Sequence, residues 1–181
     1  MKLENVLLIG GSGFVGGWIA SRLSDRGIRV TIPTRHRDNS KRLTTLPMVD
    51  MVEAKVHDPQ TLVELMQGQD AVINLVGVLH DSDSRLPYGK GFAAAHVELP
   101  KKIIAAMRQS GLRRLVHMSA LQATSKGPSE YLRSKGEGEA LVRAAIPELD
   151  ITIFRPSVIF GANDSFLNMF AKLARMSPVL P

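Results

Sequence analysis

Tyr131 and Lys135 stand four residues apart in "YLRSK", and a phenol beside an ammonium is a pair that can move a proton. On a helix of about 3.6 residues per turn the two side chains leave the same face, about 40° apart. Tyrosine is a weak acid near neutrality, and a neighbouring positive charge is one of the few ways to bring its phenolate within reach. Ser119 lies upstream, at the tip of a predicted strand, where its hydroxyl can orient a substrate oxygen. In this reading Tyr131 is the acid and base, Lys135 tunes it, and Ser119 holds the reacting oxygen.

A second kind of chemistry opens the chain. In "VLLIGGSGFVGGWIA", residues 6–20, glycines recur at Gly10, Gly13 and Gly16, a GxxGxxG spacing. The apolar run Val6–Ile9 before them suits a strand buried on both faces. After them, Val15, Ile19 and Leu23 fall on one helical face, and Gly27 is placed to end that helix. Strand, glycine turn and helix together form a phosphate cradle. The glycines permit the turn and the close approach of the backbone, and the helix start at Gly13, Phe14, Val15 and Gly16 offers N–H groups and a favourable dipole to a pyrophosphate. A dinucleotide is the expected ligand.

Which dinucleotide depends on the end of the second predicted strand. NAD binders place a carboxylate there for the ribose 2′-hydroxyl, whereas "VTIPTRHRDNSKR" places Thr34, then Arg35 and Arg37, with Lys41 and Arg42 a turn later. Guanidinium groups match a 2′-phosphate, so NADP(H) is expected over NAD, with Asp38 the acidic residue that leaves NAD as the alternative. In "KVHDPQTL" Asp58 precedes Pro59, a pair that reads first as a helix N-cap followed by a proline in the first turn.

These residues need a scaffold, and the pattern supplies one. Strands are predicted at 5–10, 28–33, 49–56, 70–76, 113–119 and 151–155, with helices at 14–26, 38–46, 59–67, 92–110 and 128–146. Such alternation implies right-handed crossovers and an α/β fold, a doubly wound parallel sheet, and the glycine turn after the first strand makes it Rossmann-type with strand order 3-2-1-4-5-6. The longest irregular stretch, Gly77 to Gly91, follows the carboxyl end of the fourth strand, where such sheets bind ligands. On the fifth helix Leu132, Gly136, Ala140 and Ala144 form a small ridge, and Gly136 and Gly138 imply close approach of the sheet or a partner helix.

Composition agrees and excludes. At 181 residues the chain is read as one dinucleotide-binding domain over 1–161, with 162–181 starting a substrate-binding segment that is incomplete. There is no cysteine and the 5 histidines show no ligand spacing, so no metal is expected. The net charge of +6 is spread over several segments and aromatics make up only 5%, which argues against a nucleic-acid partner. No apolar run approaches the roughly 20 residues of a membrane span. The first strand begins almost at the N-terminus, leaving no room for a targeting segment, so a bacterial-type cytoplasmic location is expected.

"GGSGFVG", "NLVG" at Asn74–Gly77, Ser119 and "YLRSK" together resemble the short-chain dehydrogenase/reductase superfamily. "RPSVIFG" at Arg155–Gly161 resembles its extended or atypical branch of epimerases, dehydratases and reductases. "YLRSKGEGE" with "RPSVIFGANDSFLN" is similar to relatives of the NADPH-binding accessory subunit of respiratory complex I. The resemblance implies hydride transfer at a carbonyl or alcohol. It also implies that Asn74, Val76, Gly77, Pro156 and Val158 line the cofactor, that Tyr131 and Lys135 hold its ribose, and that Asp58 accepts from the adenine amine. One departure stands out. "AHVELP" puts His96 where such proteins often carry Asn, as a proton relay or a packed side chain, with Pro100 kinking the helix behind it. The rival to an enzyme acting on an unknown small molecule is a non-catalytic NADPH-binding module: a subunit, an assembly factor or a nucleotide sensor. Its partners would be a second copy or a larger complex.

Overall fold

The structure is a computed structural model and describes residues 3–35, 42–83, 85–162 and 164. Its strands are β1 (Asn5–Ile9), β2 (Arg29–Thr34), β3 (Val49–Glu53), β4 (Ala71–Asn74), β5 (Arg114–Met118) and β6 (Asp150–Phe154). They form one six-stranded sheet in the order β3-β2-β1-β4-β5-β6, every neighbouring pair parallel. The order is the one expected from the alternating pattern together with the glycine turn after the first strand. β1 lies at the centre, and Val6, Leu7, Leu8 and Ile9 are fully buried, as a strand covered on both faces must be.

Alternation along β1 divides the core. Leu7 and Ile9 pack with Leu62 and Met66 of α2 (Pro59–Met66), Ile103 and Met107 of α4 (Leu99–Ser110) and Val142 of α5 (Glu130–Ala144). Leu8 points the other way, with Val30, Ile32 and Met51, onto Ala20 of α1 (Phe14–Ser24). The helix ends follow local chemistry. Asp58 caps α2 ahead of Pro59, Ser129 caps α5 through the Leu132 N–H, and α4 ends at Gly111 in the left-handed region (φ 74°).

The helix expected over 38–46 is corrected by the structure in its described part. Residues 42–48 form a short 3₁₀ turn followed by further turns, because the Thr45 hydroxyl takes the Arg42 carbonyl and the Leu46 N–H returns to Leu43. Residues 36–41 lie outside the described residues. Of the segment 162–181, only Ala162 and Asp164 are described.

The helix expected over 92–110 begins as α3 (Lys90–Phe92) and widens into a π turn at Ala93–Glu98 before α4. The Leu99 N–H bonds back to the Ala94 carbonyl, and the cause is the next residue. Pro100 lacks the N–H that an α-helix would send to the His96 carbonyl, so the expected kink appears as a wider turn with that carbonyl released. It meets α5. A Cβ at Gly138 would overlap the His96 carbonyl oxygen, and one at Gly136 would overlap the Thr124 backbone. The surfaces approaching the two glycines are therefore the π turn and the segment after β5.

Replacing a helical glycine with alanine ordinarily stabilises by about 1 kcal/mol. At Gly138 the added methyl runs into backbone, and overpacking costs about 1–3 kcal/mol. Gly138→Ala should therefore lower the urea midpoint. A raised midpoint would contradict the close packing of α5 on the π turn.

Candidate functional site

The turn after β1 is shaped by backbone alone. Gly10 adopts φ 83°, its carbonyl accepts from the Gly13 N–H at 3.2 Å, and the Gly13 carbonyl accepts from Gly17 at 3.0 Å to start α1. A Cβ at Gly16 would lie 2.5 Å from the Gly11 Cα, which explains the close helix–turn packing. Gly13 differs. A Cβ there would meet only the Gly10 carbonyl oxygen, at 3.4 Å, so the space beyond it is open. Gly13 is the N-cap of α1, no side chain caps that helix and no acidic residue stands in its first turn. Uncapped N–H groups at Phe14 and Val15, a helix dipole and an open approach over Gly13 fit a pyrophosphate.

The adenosine side lies at the ends of β2 and β3. Thr34 is buried where an NAD binder would place a carboxylate, and Arg35 follows it, exposed. The Arg42 guanidinium lies over Gly17 of α1, where a Cβ would come within 2.5 Å of its terminal nitrogen. Arg37 lies outside the described residues. Asp58 accepts the N–H and hydroxyl of Thr61 at 2.8 and 2.7 Å, both through Oδ2. Its capping role is thus filled by one oxygen, and Oδ1 remains for another donor.

On the other side, α5 meets the exits of β4, β5 and β6. Lys135 is buried and donates from Nζ to the Met118 carbonyl at 2.6 Å. Burial brings its ammonium down to about 8, and two of its three donors remain for other partners. Tyr131 is half-buried, edge-on to the rings of His96 and Phe92 at 5.6 and 6.4 Å. Burial pushes its phenol up. That direction corrects the expectation that Lys135 would lower it: the ammonium is turned to the β5 exit. Asn74, at the end of β4, is buried and has a partner at each amide atom. Its amide nitrogen meets His117 Nδ1 at 3.2 Å and its oxygen accepts from the Val76 N–H at 3.2 Å, so it shapes the loop rather than facing outward. Gly77 follows that loop, and a Cβ there would stand 3.6 Å from His96 Nε2 and 3.9 Å from Lys135 Nζ. Pro156 accepts from the Leu121 N–H at 2.8 Å, and Val158 is exposed.

Ser119 does not join Tyr131 and Lys135. It is 2% exposed, and its hydroxyl donates to Glu139 Oε2 at 2.5 Å. Glu139 also accepts from Arg143 at 2.7 Å and from Arg155 at 2.9 Å, and Arg155 reaches on to the Ala123 carbonyl at 2.7 Å. The residue that follows β5 into the open is Leu121, 53% exposed. Sequence reasoning missed Glu139, although Lys135, Glu139 and Arg143 recur four apart, the spacing of a charge ladder on one helical face. An apolar groove of about 590 Å³ runs along the outer face of α1 past Trp18, Ile19 and Leu23, and it meets the phosphate turn at Phe14 and Val15 and the segment after β6 at Ile159, Phe160 and Gly161.

A parallel sheet in this order, with an open glycine turn on its first helix and a tyrosine–lysine helix beside its second half, defines a Rossmann-type dinucleotide-binding domain. The chain belongs to the NAD(P)H-binding family, whose model matches residues 10–165. It is 33% identical over 168 residues to "NADH dehydrogenase [ubiquinone] 1 alpha subcomplex subunit 9, mitochondrial" of Mus musculus, covering 91% of this chain and 43% of that protein. It is 30% identical to "Ceramide reductase" of Caulobacter vibrioides, covering 97% of this chain and 53% of that protein. In fold it is similar to the Bordetella bronchiseptica enzyme WbmH in complex with NAD+, with a TM-score of 0.78, 20% identity and coverage of 97% of this chain and 64% of that one. The chain spans about half the length of these curated relatives. Among the described residues no helix is long and apolar enough to cross a membrane, and no cluster of metal-ligating side chains occurs.

Glu139 sets an acid limit on stability. Burial works against its charge, but the hydrogen bonds from Ser119, Arg143 and Arg155 outweigh it and hold the carboxyl below its ordinary 4.5. A depressed folded-state value means the contribution is complete above the unfolded value and is lost as pH falls through the lower, folded one. Charged hydrogen bonds contribute about 1.5–3 kcal/mol each, and half-exposed arginines favour the lower end. Glu139→Gln should therefore destabilise by about 2 kcal/mol near neutrality and flatten the acid limb of a urea series. An unchanged limb would remove Glu139 from that role.

Proposed function

We propose that this chain is a nicotinamide-dinucleotide-binding module that prefers NADP(H), and that the bound nucleotide serves to stabilise a subunit or assembly component rather than to turn over a substrate. The observation that carries this reading is the bond from Ser119 to Glu139. A hydroxyl committed to a buried carboxylate is not offered to a substrate oxygen, so the proton-transfer trio lacks its orienting member. Tyr131 and Lys135 then keep the part they share with a binding role, contact with a ribose. The similarity to proteins named as NADH dehydrogenase subunits supports membership of a larger assembly. Preference for NADP(H) rests on Thr34 and Arg35 at the end of β2, where no carboxylate stands among the described residues.

One observation favours a second reading, a reductase. A bound reduced nicotinamide supplies hydride, and a phenol kept protonated by burial suits proton donation to the oxygen that hydride transfer leaves charged. Ceramide reductase of Caulobacter vibrioides is among the similar proteins.

Thermal unfolding with added nucleotide separates the outcomes. A ligand at about 100 times its Kd stabilises by about 2.7 kcal/mol, so saturating NADPH should raise Tm by several degrees, and NADH should do less at equal concentration. Arg35→Ala should narrow the NADPH:NADH affinity ratio by about tenfold, the size of one charge-assisted contact. Equal affinities in the unaltered chain would overturn the NADP(H) preference. Tyr131→Phe should leave NADPH affinity within about threefold, because only a hydroxyl is lost. NADPH oxidation with a panel of carbonyl compounds, falling about 10²–10⁴-fold in Tyr131→Phe, would establish the reductase instead.

A further inference from the structure

His96 is buried at 2% exposure, and both its ring nitrogens are engaged. The Val78 N–H donates to Nε2 at 3.0 Å, so that nitrogen carries no proton. Nδ1 must then carry it, facing the Ser134 hydroxyl oxygen at 2.8 Å, and Ser134 in turn donates to the Tyr131 carbonyl at 2.9 Å. Every donor meets an acceptor only when the ring is neutral with its proton on Nδ1. Burial first, then Lys135 and His117, hold its pKa down to about 3, so the ring keeps that form across the physiological range. No second form is on hand for relaying protons.

Its place in the fold gives this bonding a purpose. His96 sits in the π turn, its carbonyl pressed on Gly138 and its ring bonded to Ser134, so one residue grips α5 on both sides of Lys135. The far nitrogen holds the exit of β4 beside Gly77, between Nε2 and Lys135 Nζ. β4 opens the second mononucleotide-binding half of a Rossmann fold, the half opposite Thr34 and Arg35.

We infer that His96 is a positioning residue: by bonding the Val78 N–H it fixes the β4 exit against Tyr131 and Lys135, and so governs binding of the nicotinamide half of a dinucleotide while leaving the adenosine half untouched. This rests on the dinucleotide-binding reading above.

The test titrates two ligands, NADPH and adenosine 2′,5′-bisphosphate, which lacks the nicotinamide half. The chains are the unaltered protein, His96→Asn, His96→Gln and Ser134→Ala, with folding checked by circular dichroism. Gln can place its carbonyl near the position of Nε2 and accept from Val78, whereas Asn reaches only as far as Nδ1. His96→Asn should weaken NADPH tenfold or more with the bisphosphate changed less than about threefold, and His96→Gln should restore most of the loss. Ser134→Ala, which leaves the Val78 bond in place, should shift NADPH in the same direction by less and serves as the measure if His96→Asn does not fold. Equal weakening of both ligands, or no change in either, overturns the inference. Failure of the unaltered chain to bind either ligand overturns the binding reading itself.

The pH dependence gives a second readout. The groups facing the ring are Tyr131 and Lys135 of α5 and His117 of β5; His117 is held down to about 3 and Lys135 at about 8. The ratio of the NADPH affinities of the unaltered chain and His96→Gln, in which the ligand's own phosphate titration cancels, should therefore stay flat from about pH 5 to 7. Global stability should nevertheless fall as pH drops below 6.5, because the unfolded imidazoles take up protons that the folded ones refuse until about 3. A break in the affinity ratio near 6.5 would mark His96 as a titrating group and end the positioning claim.

Discussion

A carboxylate buried in a protein must be paired, because an unpaired one costs several kcal/mol that no packing returns. Glu139 is buried and holds three donors from three places: Ser119 at the tip of β5, Arg143 on its own helix, and Arg155 just past β6. Those bonds fix how α5 is rotated above the sheet. With Glu139 turned to the β5 tip, Lys135 one turn earlier faces the same edge and reaches the Met118 carbonyl. Arg155, held at one end, carries the segment after β6 to the Ala123 carbonyl. The placement of the lysine, the removal of the serine from the site, and the course of the chain after β6 follow from one buried charge.

That rotation is possible only because α5 can come close, and the reason lies on another element. Pro100 withholds the N–H that the His96 carbonyl would have taken, the helix opens into a π turn, and the freed carbonyl is accommodated by the missing side chain of Gly138. The same turn brings the ring of His96 over Ser134 and edge-on to Tyr131. The charge of Lys135 adds to burial in keeping His96 and His117 neutral, and Glu139 is the acidic group acting on that charge. A proline on one helix and a glycine on the next thus set the electrostatics of a lysine.

The parts of this legible in the sequence are those written in backbone chemistry. The parallel sheet follows from the alternation of strand and helix patterns, its order and the phosphate turn from the glycine spacing after the first strand, and the α2 cap from Asp58 and Pro59. These depend on each segment's own residues. What was not legible depends on partners distant in the chain. Ser119 sits at a strand tip, where period 2 no longer tells which way a side chain points, and its partner is 20 residues away. The phenol of Tyr131 was expected to go down beside Lys135. It goes up, because the lysine's nearest attraction is a carbonyl of β5 and the ring is left with burial alone. Residues 42–48 fail as a helix through a hydroxyl three residues from the carbonyl it takes, a competition that helical periodicity cannot register.

The tyrosine–lysine spacing is for this reason a poor guide to activity. Four residues on one helix bring a phenol and an ammonium to the same edge whether the task is to hold a ribose or to move a proton, and both tasks want the pair near the exit of β4. A third group distinguishes them. An orienting hydroxyl matters to a reacting oxygen and is irrelevant to a bound ribose, so the direction of Ser119 bears on function more than the presence of Tyr131 or Lys135. In this chain that direction is set by Glu139, a residue that touches neither tyrosine nor cofactor turn. Stability and the proposed function meet there: the bond that satisfies the buried carboxylate is the same bond on which the binding-module reading rests.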